Sequence, residues 1–267
     1  MLKQRIITAL VLAPLVLAGV FLLPVNGFAV FIGLIILVGA WEWGGLCGYS
    51  SAGRLVYAVV LIPLMGFAWW LPWELSLMAA MLWWLLALMM VSGYSRKILI
   101  PGSSWVIALI GIFVLIPPWI ALIQLKHGAD GHYYILMLLL LIWGADIGAF
   151  FFGRALGRNK LAPLVSPGKS WEGVFGGMLV AMMIFVSMTY WKQGGLSLDA
   201  QWFVMMLACG LVVCQSVLGD LTESLFKREK GIKDSSQLLP GHGGVLDRID
   251  SLVAAAPLFA LFVGFLR

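Results

Sequence analysis

Long apolar runs, separated by short polar segments, follow one another along the whole chain. Nine of these runs contain between 15 and 21 residues, close to the roughly 20 apolar residues that a helix needs to cross a bilayer. We therefore predict an all-α, polytopic integral membrane protein with about nine transmembrane helices. The predicted spans are Ile6–Leu23, Phe28–Leu46, Leu55–Trp70, Leu75–Val91, Trp105–Leu125, Tyr133–Phe152, Val174–Trp191, Trp202–Leu218 and Leu252–Leu266.

The composition agrees with this class. The chain has 267 residues, of which 62% are hydrophobic and 11% are charged, and its mean hydropathy is +1.02. These values lie far outside the usage of soluble proteins. Little sequence is left for a soluble domain. We expect one membrane domain in which residues 1–140 form a scaffold and residues 141–267 carry the chemistry.

The lysines and arginines are strongly biased toward one side of the predicted bundle, which holds 14 of the 17. That side comprises the N-terminus and the loops near 47–54, 92–104, 153–173 and 219–251. The other side has only Lys126, Lys192 and Arg267. The positive-inside rule makes the basic side cytoplasmic. We therefore predict that the N-terminus and the polar loops of the C-terminal half face the cytoplasm.

The most charged segment lies between the last two apolar runs. Eleven of the 31 residues from 220 to 250 are charged, although charge is costly beside a hydrocarbon interior. If the preceding helix continues to residue 228, then Asp220, Glu223, Ser224 and Lys227 lie on one helical face. A salt-bridged surface stripe is the simpler explanation of such a face, but the residues that follow it favour a site.

A glycine-rich loop and two further aspartates follow this face. Residues 241–244 read Gly-His-Gly-Gly, and glycine-rich backbone can present its N–H groups to phosphate oxygens. Asp247 and Asp250 are three residues apart and share one face of the last helix. Together with Asp220 they are typical of a hard-oxygen site for Mg²⁺. Carboxylates that face a basic loop are typical of phosphoryl or nucleotidyl transfer.

A second polar segment runs from 143 to 177. Asp146 lies inside an apolar span among glycines, which let another helix approach closely. An intramembrane aspartate is a functional candidate, and the alternative is a structural residue that caps or pairs with a neighbouring helix. Ser170 suits the N-cap of the next helix, where Lys169 would hold an anion. A P-loop is excluded, because Pro163 stands where that motif requires glycine.

Several other chemistries are disfavoured. Cys47, Cys209 and Cys214 form no C-x-x-C pair, which argues against zinc and redox sites. The net charge of +5 is concentrated in loops at the membrane surface and does not indicate nucleic-acid binding. His127 and His132 fall on the side opposite to the polar loops, and we interpret both as ordinary loop residues.

The spacing of the polar residues resembles the signature of phosphatidate cytidylyltransferases, also called CDP-diacylglycerol synthases. The matching pattern is Ser224-x-x-Lys227-Arg228, four residues, Lys233-Asp234, and then Pro240-x-His242-Gly243-Gly244-x-x-Asp247-Arg248-x-Asp250. The block Ser166-Pro-x-Lys169-x-Trp171-Glu172-Gly173 is similar to the second shared block of the family. The resemblance covers roughly the C-terminal half, and before about residue 140 only hydropathy and length agree.

The resemblance implies that the protein makes CDP-diacylglycerol and pyrophosphate from CTP and phosphatidate. It also implies an inner-membrane enzyme of phospholipid synthesis that requires Mg²⁺ and forms a homodimer. Phosphatidate is largely dianionic at neutral pH, because the second pKa of its phosphate is near ~6. It therefore needs no general base to attack the α-phosphorus of CTP.

On this hypothesis the site residues form three groups. The Mg²⁺ ligands are Asp220, Asp247 and Asp250, with Asp146 either completing that shell or holding a second cation. The residues that neutralise phosphate charge in the transition state are Lys227, Arg228, Lys233 and Arg248. The substrate-binding residues are Lys169, Ser170, Ser224, Asp234, His242, Gly243 and Gly244. His242 is expected to contact phosphate or to shape the loop, without a role in proton transfer.

Two other functions stay open on the sequence. A CTP-dependent lipid or polyprenol kinase would transfer the γ-phosphate and release CDP in place of pyrophosphate. A transporter would use Asp146 as its coupling residue, although no inverted repeat of broken helices is evident. A CDP-alcohol phosphotransferase is disfavoured, because the chain contains no D-G-x-x-A-R run.

Overall fold

The computed structural model describes residues 2–96, 98, 100–195 and 199–265. Within them the chain forms nine α-helices, a short 3-10 helix at Tyr94–Arg96 and a two-stranded sheet. The helices are α1 (Leu2–Leu22), α2 (Val25–Leu46), α3 (Ser51–Trp70), α4 (Trp73–Ser92), α5 (Ser104–His127), α6 (Gly131–Leu156), α7 (Trp171–Gln193), α8 (Ala200–Glu229) and α9 (Leu246–Phe265).

The helices have the dimensions of membrane spans. In the described part of the chain, eight of them are long and apolar enough to cross a membrane, and α1 contains a shorter apolar stretch, Leu10–Leu22. The predicted all-α polytopic membrane protein is therefore confirmed. Lys97 and Arg267, which count toward the predicted charge bias, lie outside the described residues. The division into a scaffold and a catalytic region stays a prediction.

The helices begin and end at residues that cap a helix or cannot continue one. Pro24 and Pro72 directly precede α2 and α4, where proline needs no N–H partner. At the start of α3, the Gly53 amide donates a hydrogen bond to Ser50 Oγ at 3.3 Å. Gly194 ends α7 in the left-handed conformation, with φ of 68°, which glycine adopts without steric cost. These breaks leave short connections between successive helices.

Helices α6 and α7 pack closely because both present glycines to each other. A Cβ atom on Gly148 would lie 2.7 Å from the carbonyl oxygen of Gly176, and one on Gly177 would lie 2.6 Å from that of Ala145. Both distances are too short for a side chain, so only glycine allows the two backbones to approach this far. This contact fixes the position of Asp146 relative to the start of α7.

The polar loops meet at one end of the bundle. The Tyr94 hydroxyl donates to Glu229 Oε1 at 2.9 Å, which joins the loop after α4 to the end of α8. Arg228 Nε donates to the carbonyl oxygen of Val165 at 3.3 Å, which joins α8 to the loop after α6. The loops that the charge bias assigns to one side therefore share one end. The orientation of that end toward the cytoplasm stays a prediction.

Helix α8 is longer than the apolar run predicts. It contains 30 residues and continues through the polar segment to Glu229, so the conditional prediction of one helical face from Asp220 to Lys227 is confirmed. The helix continues because its polar residues are paired with neighbouring elements.

The loop between α6 and α7 contains two short strands that the sequence analysis did not predict. Strand β1 (Lys160–Ala162) pairs antiparallel with β2 (Ser166–Ser170), and Lys160 lies opposite Ser170. The strands are too short, and too rich in glycine and proline, to show a period of two. Their pairing carries Lys169 and Ser170 to the first turn of α7.

The opposite end of the bundle contains a buried lysine. Lys126 is 6% exposed in the last turn of α5, donates to the carbonyl oxygen of Val20 and lies 2.9 Å from His132 Nε2. His132 belongs to α6, and His127 is the last residue of α5, so their interpretation as loop residues is wrong. Lys126 thus ties α1, α5 and α6 together.

The cysteines have the environment of packing residues. Cys47 and Cys209 are buried, Cys214 is exposed, and all three are free of disulfides. Burial raises the pKa of the Cys47 thiol to about 12, against a smaller opposing effect of Lys230. The Cys47 thiol therefore stays protonated and unreactive at neutral pH.

Candidate active site

The centre of the polar end is Lys227, which joins α8 to α9. Its Nζ donates to Glu223 Oε2 at 3.1 Å and to Asp247 Oδ1 at 2.6 Å. The side chains of Lys227 and Asp247 are only 7% and 6% exposed. Buried charges are stable only when they are paired and hydrogen-bonded, so these three groups depend on one another.

Asp247 organises the loop between α8 and α9. Its Oδ2 atom accepts hydrogen bonds from Ser235 N and Ser235 Oγ, both at 2.9 Å, and from Gly244 N at 2.7 Å. Gly243 has a φ of +83°, and a Cβ atom on it would lie 2.7 Å from Asp247 Oδ2. The Gly244 amide, which we expected to face a phosphate, is thus directed at a carboxylate of the protein.

Lys169 and Asp220 bring the two polar segments of the sequence together. Lys169 Nζ lies 2.7 Å from Asp220 Oδ2, with side chains 25% and 34% exposed. Ser224 Oγ donates to Asp220 Oδ1 at 3.2 Å. The ion pair therefore holds strand β2 against the polar face of α8.

Asp146 lies in a cavity of about 220 Å³ between α6, α7 and α8. Lys169 and Ser170 line the same cavity, and Asp146 interacts electrostatically with Lys169, Asp220 and Arg248. Asp146 and Lys169 thus face a common space, and Lys169 also pairs with Asp220; a functional role for Asp146 stays a prediction.

The first turn of α7 is fixed by two side chains. Ser170 is 4% exposed, and its Oγ accepts from Gly173 N at 3.2 Å, so the predicted N-cap is confirmed. Glu172 accepts from the backbone N–H groups of Arg158 and Asn159 and from the Asn159 side-chain amide. These contacts fix the backbone at the start of α7, and with it the position of Lys169, which directly precedes Ser170.

Glu223 and Asp250 place two carboxylates close together inside the protein. Asp250 interacts electrostatically with Glu223 and with Asp220, and its Oδ1 accepts from Ser251 N at 2.7 Å. Glu223 Oε1 is buried and accepts from no N–H or hydroxyl group among the described residues, while the Glu223 and Asp250 side chains share a hydrogen bond. Such a group of oxygens fits a cation or a proton, because neighbouring carboxylates repel each other when both are charged.

The chemistry of these donors fits a hard divalent cation, although the side chains do not surround a single point. In the part of the chain that the structure describes, no three His, Cys, Asp or Glu side chains form a ready metal site. The ammonium groups of Lys169 and Lys227 lie between the carboxylates instead. Asp247 would bind a cation only by exchanging one of its protein donors.

The remaining predicted residues lie around this centre. Arg228 donates to two backbone carbonyl oxygens, those of Val165 and Ile232. Lys233, Asp234 and Arg248 are exposed at the surface of the same end, and His242 is half-buried in the glycine loop. Exposed cations beside a buried acidic centre suit the binding of a charged, phosphate-bearing ligand.

One residue that contacts this centre lies within residues 1–140, which we predicted to be a scaffold. Glu42 is fully buried near the end of α2 and accepts hydrogen bonds from Ser235, Ser236, Val245 and Leu246. The signal that could have found it is an acidic residue inside an apolar run, since such residues are costly and seldom without a role.

Comparisons with known proteins identify the family of this chain. A model described as the cytidylyltransferase family matches residues 3–266. A phosphatidate cytidylyltransferase of Pseudomonas aeruginosa is 49% identical over 264 residues, which are 97% of this chain and 96% of the relative. Those of Haemophilus influenzae and Brucella suis are 39% and 38% identical, over 99% and 98% of this chain and 99% and 93% of their own lengths.

The similarity thus extends over both halves of the chain, beyond the C-terminal half on which the resemblance rested. The resemblance to the phosphatidate cytidylyltransferases is confirmed, and the chain belongs to the cytidylyltransferase family.

Proposed function

We propose that this protein transfers CMP from CTP to phosphatidate and so produces CDP-diacylglycerol and pyrophosphate. One observation carries the proposal. In a family whose relatives are named for this reaction, both polar segments meet along α8, through the partly exposed pair Lys169–Asp220 and the buried pair Lys227–Asp247. The centre lies at the end of a bundle of apolar helices, where a lipid phosphate and a water-soluble nucleotide can meet.

The reaction needs charge neutralisation more than proton transfer. A phosphate oxygen of phosphatidate attacks the α-phosphorus of CTP, the bond from that phosphorus to the bridging oxygen breaks, and pyrophosphate leaves. The attacking phosphate is largely dianionic at neutral pH. We assign the neutralisation of the transferring phosphates to Lys227, Arg228, Lys233 and Arg248. Preorganised positive charge of this kind is a large contribution to phosphoryl-transfer rates.

We further propose that the reaction requires Mg²⁺. Asp220, Asp247 and Asp250 would hold it, and Asp146 would complete the shell or hold a second cation. A bound Mg²⁺ supplies positive charge to the phosphates of the nucleotide. The carboxylate oxygens of these residues, and the buried Glu223 Oε1 beside them, support this assignment because Mg²⁺ prefers oxygen ligands.

The lipid has an apolar path to the same centre. A cavity of about 430 Å³ lies beside the one that contains Asp146, and both are lined by Val174 and Val217. Its other walls are largely apolar, from α4, the β1–β2 loop and α8. We propose that one acyl chain of phosphatidate occupies this cavity while the headgroup approaches Lys169.

Labelled nucleotide tests the proposed reaction directly. The purified membrane protein is incubated with phosphatidate, Mg²⁺ and CTP that carries a label on the α- or the γ-phosphorus. We expect the α-label in the lipid product and the γ-label in pyrophosphate. A γ-label in the lipid would establish a kinase in place of the proposed transferase. Solute uptake into vesicles without CTP turnover would establish a transporter.

We also propose that the polar end faces the cytoplasm in the inner membrane and that the protein is a homodimer. The charge bias of the loops supports the orientation. Labelling of single cysteines introduced at Lys233 and at Asp130, from each side of the membrane, tests it. Mass measurement of the purified protein in a bilayer mimic tests the dimer.

A further inference from the structure

A buried carboxylate of the N-terminal half contacts the loop that precedes Asp247 and the start of α9. Glu42 Oε1 accepts from Ser236 Oγ at 2.5 Å and from Val245 N at 2.9 Å. Glu42 Oε2 accepts from Leu246 N at 2.6 Å and, at 3.3 Å, shares the single hydroxyl proton of Ser235 Oγ with Asp247 Oδ2. The four donors come from residues 193 to 204 positions further along the chain. Both carboxylate oxygens are thus fully used in this one loop.

The electrostatics of this arrangement favour one loop conformation. Val245 and Leu246 form the N-terminal end of α9, where backbone N–H groups have no partner within the helix. A carboxylate at this end interacts favourably with the helix dipole. A fully buried carboxylate is also strongly destabilised if its donors move away. Any displacement of the loop from Glu42 is therefore costly.

Glu42 reaches the active centre through a shared serine. Ser235 Oγ lies 3.3 Å from Glu42 Oε2 and 2.9 Å from Asp247 Oδ2, and Asp247 contacts Lys227 through its other oxygen. A continuous chain of polar contacts therefore runs from α2 to the ion pair between α8 and α9.

The contact with Glu42 also explains a glycine of the family signature. A Cβ atom on Gly244 would lie 2.1 Å from Ser235 Oγ and 2.5 Å from Glu42 Oε1. The φ of Gly244 is not in the left-handed region, so the requirement there is for space. The Ser235 hydroxyl and the Glu42 carboxylate together occupy the space that a side chain at Gly244 would need.

We propose that Glu42 is a positioning residue for CMP transfer, which holds residues 235–247 in the conformation that aligns Asp247 with Lys227. The effect on kcat rests on the proposed function, because CMP transfer is the reaction measured. The effect of Glu42 on the conformation of residues 235–247 does not depend on that function. Removing a hydrogen-bond partner that orients a metal-binding side chain typically lowers activity about 10- to 100-fold, and we expect an effect of this size from the residue that positions Asp247. We expect the loss in kcat, with the KM for CTP and phosphatidate changed less.

Glu42→Gln tests the proposal with little change of shape, because it replaces one acceptor oxygen by an N–H donor that faces other donors. Hydrogen exchange, measured by mass spectrometry, is compared between residues 235–247 and the hairpin at 160–170. We expect faster exchange in 235–247, unchanged exchange in the hairpin, and kcat lower by about 10- to 100-fold. Ser236→Ala removes one donor, and we expect a smaller change of the same kind.

Tyr57→Phe is the matched control. The Tyr57 hydroxyl is also buried in the N-terminal half, but it donates to the Ala108 carbonyl oxygen of α5 at 2.8 Å and to no residue of the loop. Its removal should leave exchange in 235–247 and kcat unchanged.

Three results for Glu42→Gln would overturn the proposal. The first is hydrogen exchange in residues 235–247 at the wild-type rate, and the second is exchange that becomes equally faster in the hairpin. The third is a kcat equal to that of the wild type. If Glu42→Gln does not fold, Ser236→Ala decides by the same criteria. If wild-type protein makes no CDP-diacylglycerol, the proposed function fails, while the exchange result still tests whether Glu42 sets the conformation of the loop.

Discussion

Lys227 Nζ lies 2.6 Å from Asp247 Oδ1, and this buried contact ties the polar end of α8 to the first turn of α9. The two residues are 20 positions apart in the sequence. The contact brings the basic and acidic halves of the family signature into one cluster, and the loop between them closes around it.

Lys227→Met should lower both activity and stability. It leaves Glu223 and Asp247 without their shared cation, and removing one partner of a buried pair typically costs about 3–5 kcal/mol. We expect CMP transfer to fall at least ~10²-fold, measured with labelled CTP, together with a lower unfolding temperature. Lys230→Ala, an exposed lysine one turn further along, is the control and should stay within a few-fold. A stable, active Lys227→Met variant would contradict the central role of this residue.

Asp247→Asn should lower the rate at least ~10²-fold in folded enzyme, by analogy with the loss of other groups that stabilise a transition state. The amide replaces a carboxylate oxygen by a donor, so either Lys227 or the Ser235 and Gly244 amides lose their acceptor. The measurement is CMP transfer per folded molecule. Near-normal transfer would end the assignment of Asp247 to the active site.

Lys169→Ala should separate activity from stability. Its ion pair with Asp220 is partly exposed, and such pairs contribute only about 0–1 kcal/mol, so the unfolding temperature should hardly change. Transfer should fall ~10²-fold, because a cation that faces the substrates is lost. Lys192→Ala removes an ion pair of the same 2.7 Å length at the opposite end, with Asp130, and should leave the rate unchanged. Equal rates for both variants would remove Lys169 from the site.

Lys126→Ala should reduce stability and leave the reaction intact. The ammonium group is buried and donates to the Val20 carbonyl oxygen. Leaving such an acceptor without its donor typically costs about 1–3 kcal/mol. We expect a lower unfolding temperature and a rate per folded molecule within a few-fold of wild type. A large fall in that rate would contradict the placement of the site at the other end.

Gly177→Ala should destabilise the contact between α6 and α7. The new methyl group would lie 2.6 Å from the Ala145 carbonyl oxygen, and overpacking of this kind costs about 1–3 kcal/mol. Gly66→Ala in α3 meets no atom within 4 Å, and alanine favours a helix over glycine by roughly 0.5–1 kcal/mol. Thermal unfolding should therefore move in opposite directions for the two variants. A shift in the same direction would contradict the close packing of α6 and α7.

The features that are local in the sequence were predictable. Apolar runs of span length mark the helices, and the spacing of Asp220 and Lys227 identifies one helical face, because both depend only on neighbouring residues. The role of Ser170 as an N-cap follows from its own first turn in the same way.

The features that depend on distant partners were not predictable. Glu42 stands alone in an apolar run, and its four donors lie about 200 residues away in the chain. Lys126 carries no sign of burial in its own segment, since its contact with Val20 depends on the packing of α1. The donors around Asp247 belong to the loop between α8 and α9, and the spacing of residues does not predict how that loop folds. These donors bear on the assignment of Asp247 as a metal ligand.

The length of α8 has a consequence for how deep the chemistry lies. Thirty residues, at 1.5 Å per residue, form a rod of about 45 Å, against a hydrocarbon layer of about 30 Å. A single rigid element is therefore long enough to cross the layer and to extend about 15 Å beyond it. The distance along this rod, counted in turns, fixes the height above the lipid tails at which Asp220 and Lys227 are presented. A helix of this length suits a reaction on a phosphate that lies at the surface of the hydrocarbon layer.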